Sequence, residues 1–152
     1  MRCSKKDIPR VNYIMSQDGI FQNSVDDRYP VEKRYQMGRL VLSDPRNWVL
    51  MPNDNCVFVA VPVDDTVFDV HVAVTEEGRG LEAVKAARAA IDWFFEHNEE
   101  AGCLIGFTPA ENRAAVLFAR VTGFKRVGVL FNSFLKDGRY QDQIISGLSR
   151  EV

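Results

Sequence analysis

The chain has 152 residues, of which 46% are hydrophobic and 26% charged, a length and composition that suit one globular domain with a real core and exclude a disordered chain. A formal charge of -2 provides no broad positive field, so nucleic acid is not an expected partner. Cys3, Cys56 and Cys103 are odd in number and widely spaced, only His71 and His97 could add imidazole ligands, and no signal peptide or long apolar run is present; these features predict a cytoplasmic protein without disulfide, metal or membrane span.

Lys5, Lys6 and Arg10 read as a solvated terminal segment. In "YPVEKRYQMGRLVL", Pro30 could open a helix carrying Val31, Tyr35 and Leu42 on one side, although Gly38 weakens it. The runs "WVLM", "CVFVAVPV" and "TVFDVHVAV" are β-branched and aromatic and are separated by the turn formers "PNDN" and "DD". They predict three consecutive antiparallel strands. In the third, Phe68, Val70, Val72 and Val74 form an apolar face, while Val67, Asp69, His71 and Ala73 form a face with two polar groups. Chemistry would belong on that second face.

The stretch "TEEGRG" turns the chain into a helix from about Gly80 to His97, with Leu81, Val84, Ala87, Ile91, Phe94 and Phe95 as its apolar stripe. "CLIGF" reads as a buried strand. In "TPAE", Thr108 would cap a second helix, Pro109 would take its first position and Glu111 would close the box; Gly123 would end that helix, with Phe124 folding back. Two last strands flank "KDG", a hairpin signal. The predicted order is helix, three strands, helix, strand, helix, hairpin.

A strand that meets a helix start through a glycine turn offers free N–H groups and the positive end of a helix dipole, which suit a pyrophosphate; Gly78 and Gly80 equally suit a plain tight turn. His71 is the candidate general base, with Asp69 two residues earlier to orient it, and the alternative is a histidine satisfied by a backbone carbonyl. His97 more simply complements the dipole at its helix end. Cys56 and Cys103 read as packing residues.

With its second unit, "GFTPAENRAAVLFARVTGF", the chain resembles the GCN5-related N-acetyltransferase (GNAT) family. That family has a pyrophosphate loop Arg/Gln-x-x-Gly-x-Gly/Ala and, after the next strand, a helix marked Asn-x-x-Ala-x-x-Leu-Tyr-x-x-x-Gly-Phe. Asn112, Ala115, Phe118, Gly123 and Phe124 follow the second pattern, with one additional residue before the glycine and Phe118 for the tyrosine. The resemblance implies an α/β (α+β) fold with a mixed, mostly antiparallel central sheet flanked by helices, a splayed strand pair and a C-terminal hairpin.

The resemblance further implies acetyl-CoA as cofactor and a small-molecule or protein amine as acceptor. Ala73 and Val74 would pair with the pantetheine arm, Gly78, Arg79, Gly80 and Leu81 would face the pyrophosphate, and Asn112 would contact the cofactor from the first turn of its helix. Glu77, Glu82 and Phe118 depart from the family pattern: two carboxylates stand by the loop, and the tyrosine that often protonates the leaving thiolate is missing. The wording of the two units also resembles small GNAT-like proteins of tailed bacteriophages. This second resemblance implies an alternative, a non-catalytic role in head assembly with capsid proteins, or with further copies of the chain as a homo-oligomer, in the host cytoplasm.

Overall fold

The computed structural model describes residues 1–151. Helices α1 (Ile8–Met15), α2 (Asp18–Ser24) and α3 (Met37–Ser43) precede strands β1 (Trp48–Asn53), β2 (Cys56–Pro62) and β3 (Val67–Val74). There follow α4 (Leu81–His97), β4 (Cys103–Pro109), α5 (Arg113–Val121), β5 (Lys125–Lys136) and β6 (Arg139–Ser149). The strands form one sheet in the order β1-β2-β3-β4-β6-β5, antiparallel throughout except where β3 meets β4. This is the mixed, mostly antiparallel sheet with a C-terminal hairpin that the resemblance implied.

The alternation along β3 sorts its side chains between two cores. Phe68 joins Leu50, Phe58, Phe94, Leu104 and Phe124 on the face covered by α4. Ala73 joins Val11, Ile14, Val49, Val57 and Val59 under α1 on the other face. Alanines at 83, 86, 87 and 90 bring α4 close to the sheet, and Phe94 sits at 0% exposure with edge-on contacts to Trp48 and Phe68. Leu81, expected on this stripe, is 69% exposed. At about 100° per residue it falls on the side of the helix opposite Ala90.

The segment before β1 is more structured than its sequence suggests. Lys5 and Lys6 are exposed, but Arg10 is half-buried and donates through Nε to the Asp54 carbonyl at 3.0 Å. Val11 and Ile14, at 0% exposure, anchor α1 to the sheet. The expected helix over "YPVEKRYQMGRLVL" is a 3-10 turn, Val31–Gln36, followed by α3. With about three residues per 3-10 turn, residues four apart no longer share a face, and Val31 and Tyr35 are 73% and 69% exposed. Gly38 serves close approach: a Cβ there would stand 2.9 Å from the Asn12 amide nitrogen, and the Gly38 N–H donates to Asn12 Oδ1 at 2.6 Å.

The expected start of the second helix is corrected as well. Thr108 and Pro109 are strand residues, opposite Ile144 and Gln143 of β6, and α5 is capped by Asn112, whose Oδ1 accepts from the Ala115 N–H at 3.2 Å. A residue before proline is biased toward extended backbone, which favours Thr108 in the strand over a helix cap. Cys103 is half-buried, whereas Cys56 is fully buried. Gly123 ends α5 at φ 107°, with the Phe124 N–H on the Ala119 carbonyl and the Phe124 ring in the core, as expected.

One carboxylate ties the two ends of the fold together. Asp27 accepts from the Asp137 and Gly138 N–H groups of the β5–β6 turn at 3.0 and 2.8 Å, while its own N–H donates to the Leu135 carbonyl. The Gly138 amide, then the Asp137 amide, hold the Asp27 carboxyl below its ordinary value. The preference is for the ionised form, so the clasp is intact above the ordinary carboxylate pKa and is lost as pH falls through the lowered one.

Two outcomes check this description. Phe94→Ala should lower unfolding free energy by about 3–5 kcal/mol in denaturant titration, whereas Leu81→Ala should change it by less than about 0.5 kcal/mol. Hydrogen exchange should find the Asp137 and Gly138 amides protected at neutral pH, and the protection should vanish in Asp27→Ala and on acidification of the native chain.

Candidate functional site

The site begins where a ladder ends. β3 and β4 run parallel and pair only at Val67 with Cys103, Phe68 with Leu104 and Asp69 with Ile105. Beyond this point β3 stays on β2 as far as Val74 opposite Cys56, and β4 stays on β6 as far as Pro109 opposite Gln143. The two strands therefore part, and the β4-facing backbone edge from Val70 to Val74 carries no strand partner. Ala73 and Val74 lie on this edge, and an extended amide-bearing ligand could complete it as an added strand.

At the open end, β3 enters a tight turn. Thr75 is fully buried; its N–H donates to the Asn55 carbonyl, its hydroxyl donates to Asn55 Oδ1 at 2.8 Å, and its oxygen accepts from the Gly78 N–H at 3.3 Å. Gly78 is packed against the β1–β2 turn, where a Cβ would stand 2.4 Å from the Asn55 Cβ. Its N–H is also shared with the Thr75 carbonyl, so Gly78 shapes the turn from inside.

Gly80 is different in kind. It caps α4 at φ 90° and ψ -147°, a region open to glycine, and a Cβ there would have nothing within 4 Å. The first bond into the helix runs from the Val84 N–H to the Gly80 carbonyl. The N–H groups of Leu81, Glu82 and Ala83 thus precede the intrahelical ladder at the positive end of a 17-residue helix. Glu82 does not seal this end, since its carboxylate is drawn to Lys85 Nζ at 2.9 Å. Arg79 reaches across to α2, with one guanidinium nitrogen 3.5 Å from where a Cβ on Gly19 would stand.

The face of β3 away from α4 looks into a cleft of about 610 Å³. Its floor is Val57, Val59 and Val61 of β2 with His71 and Ala73 of β3. One wall is the segment from Ser24 to Pro30 with Met37 and Val41, and the other is Ser133, Phe134 and Gln143 of the hairpin. His71 has a side chain 56% exposed, and its Nε2 lies 3.3 Å from Asp69 Oδ2. The other oxygen, Asp69 Oδ1, is buried without a hydrogen-bond partner among the described residues.

His71, Ala73, Val74 and the Gly78–Leu81 turn are therefore brought to one region by β3 and its exit turn. Asn112 lies on the far side of the splay, at the head of α5, and lines a second cleft with Pro109, Phe134, Lys136 and Gln141. Its Oδ1 is spent on the cap, which leaves its amide N–H groups for a ligand. Phe118 is half-buried and outside both core clusters. His97 stacks on Trp93 with its ring centroid at 3.9 Å and Nδ1 on the Trp93 carbonyl, a local helix-end arrangement. Burial pushes the Cys56 thiol up to about 12, far from a thiolate nucleophile. Among the described residues no His, Cys, Asp and Glu group is arranged to hold a metal ion, and no helix is long and apolar enough to cross a membrane.

Two residues around the site escape a reading by motif. Asn55 supports the turn from another strand pair, and Tyr29, half-buried with its hydroxyl on Met37 Sδ at 3.0 Å, supplies a polar group to an apolar wall. The stretch "VDDRYP" around it signals a turn by composition, but nothing local signals that the turn lies over β3.

No protein-family model and no curated protein matches the chain. Solved structures do match over its whole length. A ribosomal-protein-alanine N-acetyltransferase from Brucella melitensis is similar with a TM-score of 0.73 at 18% identity, covering 99% of this chain and 98% of that one. A spermidine N-acetyltransferase from Vibrio cholerae, solved in complex with CoA and spermine, has a TM-score of 0.77 at 15% identity, with 98% and 93% covered. A GNAT-family acetyltransferase from Streptococcus pneumoniae gives 0.72 at 14% identity, with 99% and 98% covered. Together with the parted strands, the glycine-capped α4 and the C-terminal hairpin, these likenesses establish that the chain has the fold of the GCN5-related N-acetyltransferases.

Proposed function

We propose that this protein transfers an acetyl group from acetyl-CoA to an amine by direct attack, within a single domain. The observation that carries the reading is the parting of β3 from β4 after Asp69 and Ile105, next to an open helix start and a cleft floored by His71. When bound, acetyl-CoA supplies an acyl group already activated as a thioester. The unpaired edge at Ala73 and Val74 would hold the pantetheine amides, and the N–H groups of Leu81, Glu82 and Ala83 would receive the diphosphate, which Gly80 lets approach closely. Arg79 adds a cation between this turn and α2, and Asn112 offers amide donors from the head of α5 across the splay.

On the acceptor side, His71 takes a proton from the attacking ammonium, directly or through water, with the Asp69 carboxylate 3.3 Å from Nε2 to position the ring. Counted from Asn112 to Phe124 the family spacing closes without an additional residue and puts Ala119, not Phe118, at the tyrosine; neither side chain has a proton to give, so a departing thiolate would take its proton from solvent or another hydroxyl. Holding amine and thioester together in the cleft removes the need for a covalent enzyme intermediate.

A second reading is favoured by a different observation. The outer strand β5 carries Val127, Leu130 and Phe131 at 66%, 42% and 78% exposure, three exposed apolar side chains on an unpaired sheet edge. In that reading the chain acts by association, with itself or with phage capsid proteins in head assembly, and needs no proton donor at Phe118. A monomer that acetylates an amine excludes it.

Acetyl-CoA at about 100 times its Kd should stabilise the protein by about 2.7 kcal/mol in thermal unfolding, and Gly80→Val, strained at φ 90°, should lower the unliganded Tm and remove the coenzyme shift measured against that lower value. No shift at millimolar coenzyme refutes the reading. His71→Ala should keep the shift yet lower kcat by about 10²- to 10⁴-fold, measured by release of free coenzyme thiol; an unchanged kcat would remove His71 from the mechanism.

A further inference from the structure

The cleft above His71 has an unusual balance for a site that receives a cation. Its walls include Met15, Val25, Pro30, Met37 and Val41 beside the neutral polar Ser24, Tyr29, Ser133 and Gln143, and apart from the imidazole of His71 its ionisable side chains of low or high pKa are Asp26 and Arg28. These two offset each other: Arg28 Nε lies 3.9 Å from Asp26 Oδ2, and the Arg28 N–H donates to Asp26 Oδ1 at 2.9 Å. A polyamine laid along such walls would bury ammonium groups without counter-charges, which is strongly unfavourable. A single ammonium at His71, behind which Asp69 stands 3.3 Å from Nε2, sets one positive charge against one carboxylate and leaves a hydrocarbon body for the apolar walls.

The cleft also has an end. Phe134 is 8% exposed and is the one residue shared by the linings of the two clefts. On its other side the surroundings turn polar, with Lys136, Gln141 and Asn112. Asp27 ties the Ser24–Pro30 wall to the hairpin turn, so the two walls are joined by a strap. A volume of about 610 Å³ under such a strap suits a small molecule better than a polypeptide segment.

We propose that the acceptor is a small primary amine on an apolar aliphatic or aryl-alkyl body, with Phe134 as the wall that limits its length. The proposal rests on the acetyl-transfer reading for its biological sense. It concerns amine binding, however, and binding is measured without coenzyme.

The test is calorimetric titration of the coenzyme-free protein with n-butylamine, n-hexylamine, n-decylamine, 2-phenylethylamine, spermidine and a tripeptide with an N-terminal phenylalanine. Kd should fall about fourfold per added methylene over the short amines and then stop falling, and spermidine should bind at least about tenfold more weakly than hexylamine. Phe134→Leu should move the break to a longer chain; if that variant does not fold, the break in the native series decides alone. Spermidine binding as tightly as hexylamine, a tripeptide binding more tightly than any small amine, or affinity independent of chain length would each overturn the proposal. Thiol release followed in parallel separates the two claims. Amine binding without turnover would refute acetyl transfer and keep the apolar cleft, whereas a coenzyme shift with no amine binding would do the reverse.

Discussion

The parallel pairing of β3 with β4 holds Val67, Phe68 and Asp69 against Cys103, Leu104 and Ile105 and then releases both strands. Each is satisfied on its other edge, β3 by β2 and β4 by β6, so parting costs neither strand its neighbour. The sheet behaves as two antiparallel halves joined at a short parallel base, and that base is locked by Phe68, Phe94 and Leu104 in the core under α4. An unpaired run of backbone is normally costly, and here it borders open space. The glycine turn, the acceptor floor and the two clefts all take their positions from this one interruption.

The acidic residues around the turn raise the question of which electrostatic effect wins. A carboxylate about 4 Å from a phosphate and exposed to water opposes it by about 1 kcal/mol. Each charge-assisted hydrogen bond from a backbone N–H contributes roughly 1.5–3 kcal/mol. Three amides precede the ladder of α4, Glu82 is already engaged by Lys85, and Glu76 and Glu77 are exposed to solvent. The balance favours an anion at the helix start despite the acidic sequence around it.

Much of this was legible in the residues. The alternation in "VFDVHVAV" sorted β3 between two faces, Gly123 and Phe124 marked the end of α5, and "KDG" marked the hairpin, because each signal is local and its chemistry has few alternatives. The start of α5 misled for the same reason: Thr108, Pro109 and Glu111 spell a capping box, but β6 offers Thr108 and Pro109 a full ladder, and the cap passes to Asn112. The early helices were hidden because α1 and α2 are short and their burial depends on a sheet formed far along the chain. His71 and Asp69 could be paired by spacing alone. The apolar walls facing them could not, since Met37, Val41 and Phe134 meet only in three dimensions.

The strap at Asp27 carries a consequence for how the molecule is made. Its two halves are separated by 110 residues, and the acceptor cleft takes one wall from before β1 and the other from the β5–β6 hairpin. During vectorial synthesis, β3, its glycine turn and α4 emerge well before the hairpin, so the half of the sheet that carries the helix start precedes the second wall of the cleft. Closure over such a distance is slow relative to local contacts, and the cleft has both its walls only once the strap has formed.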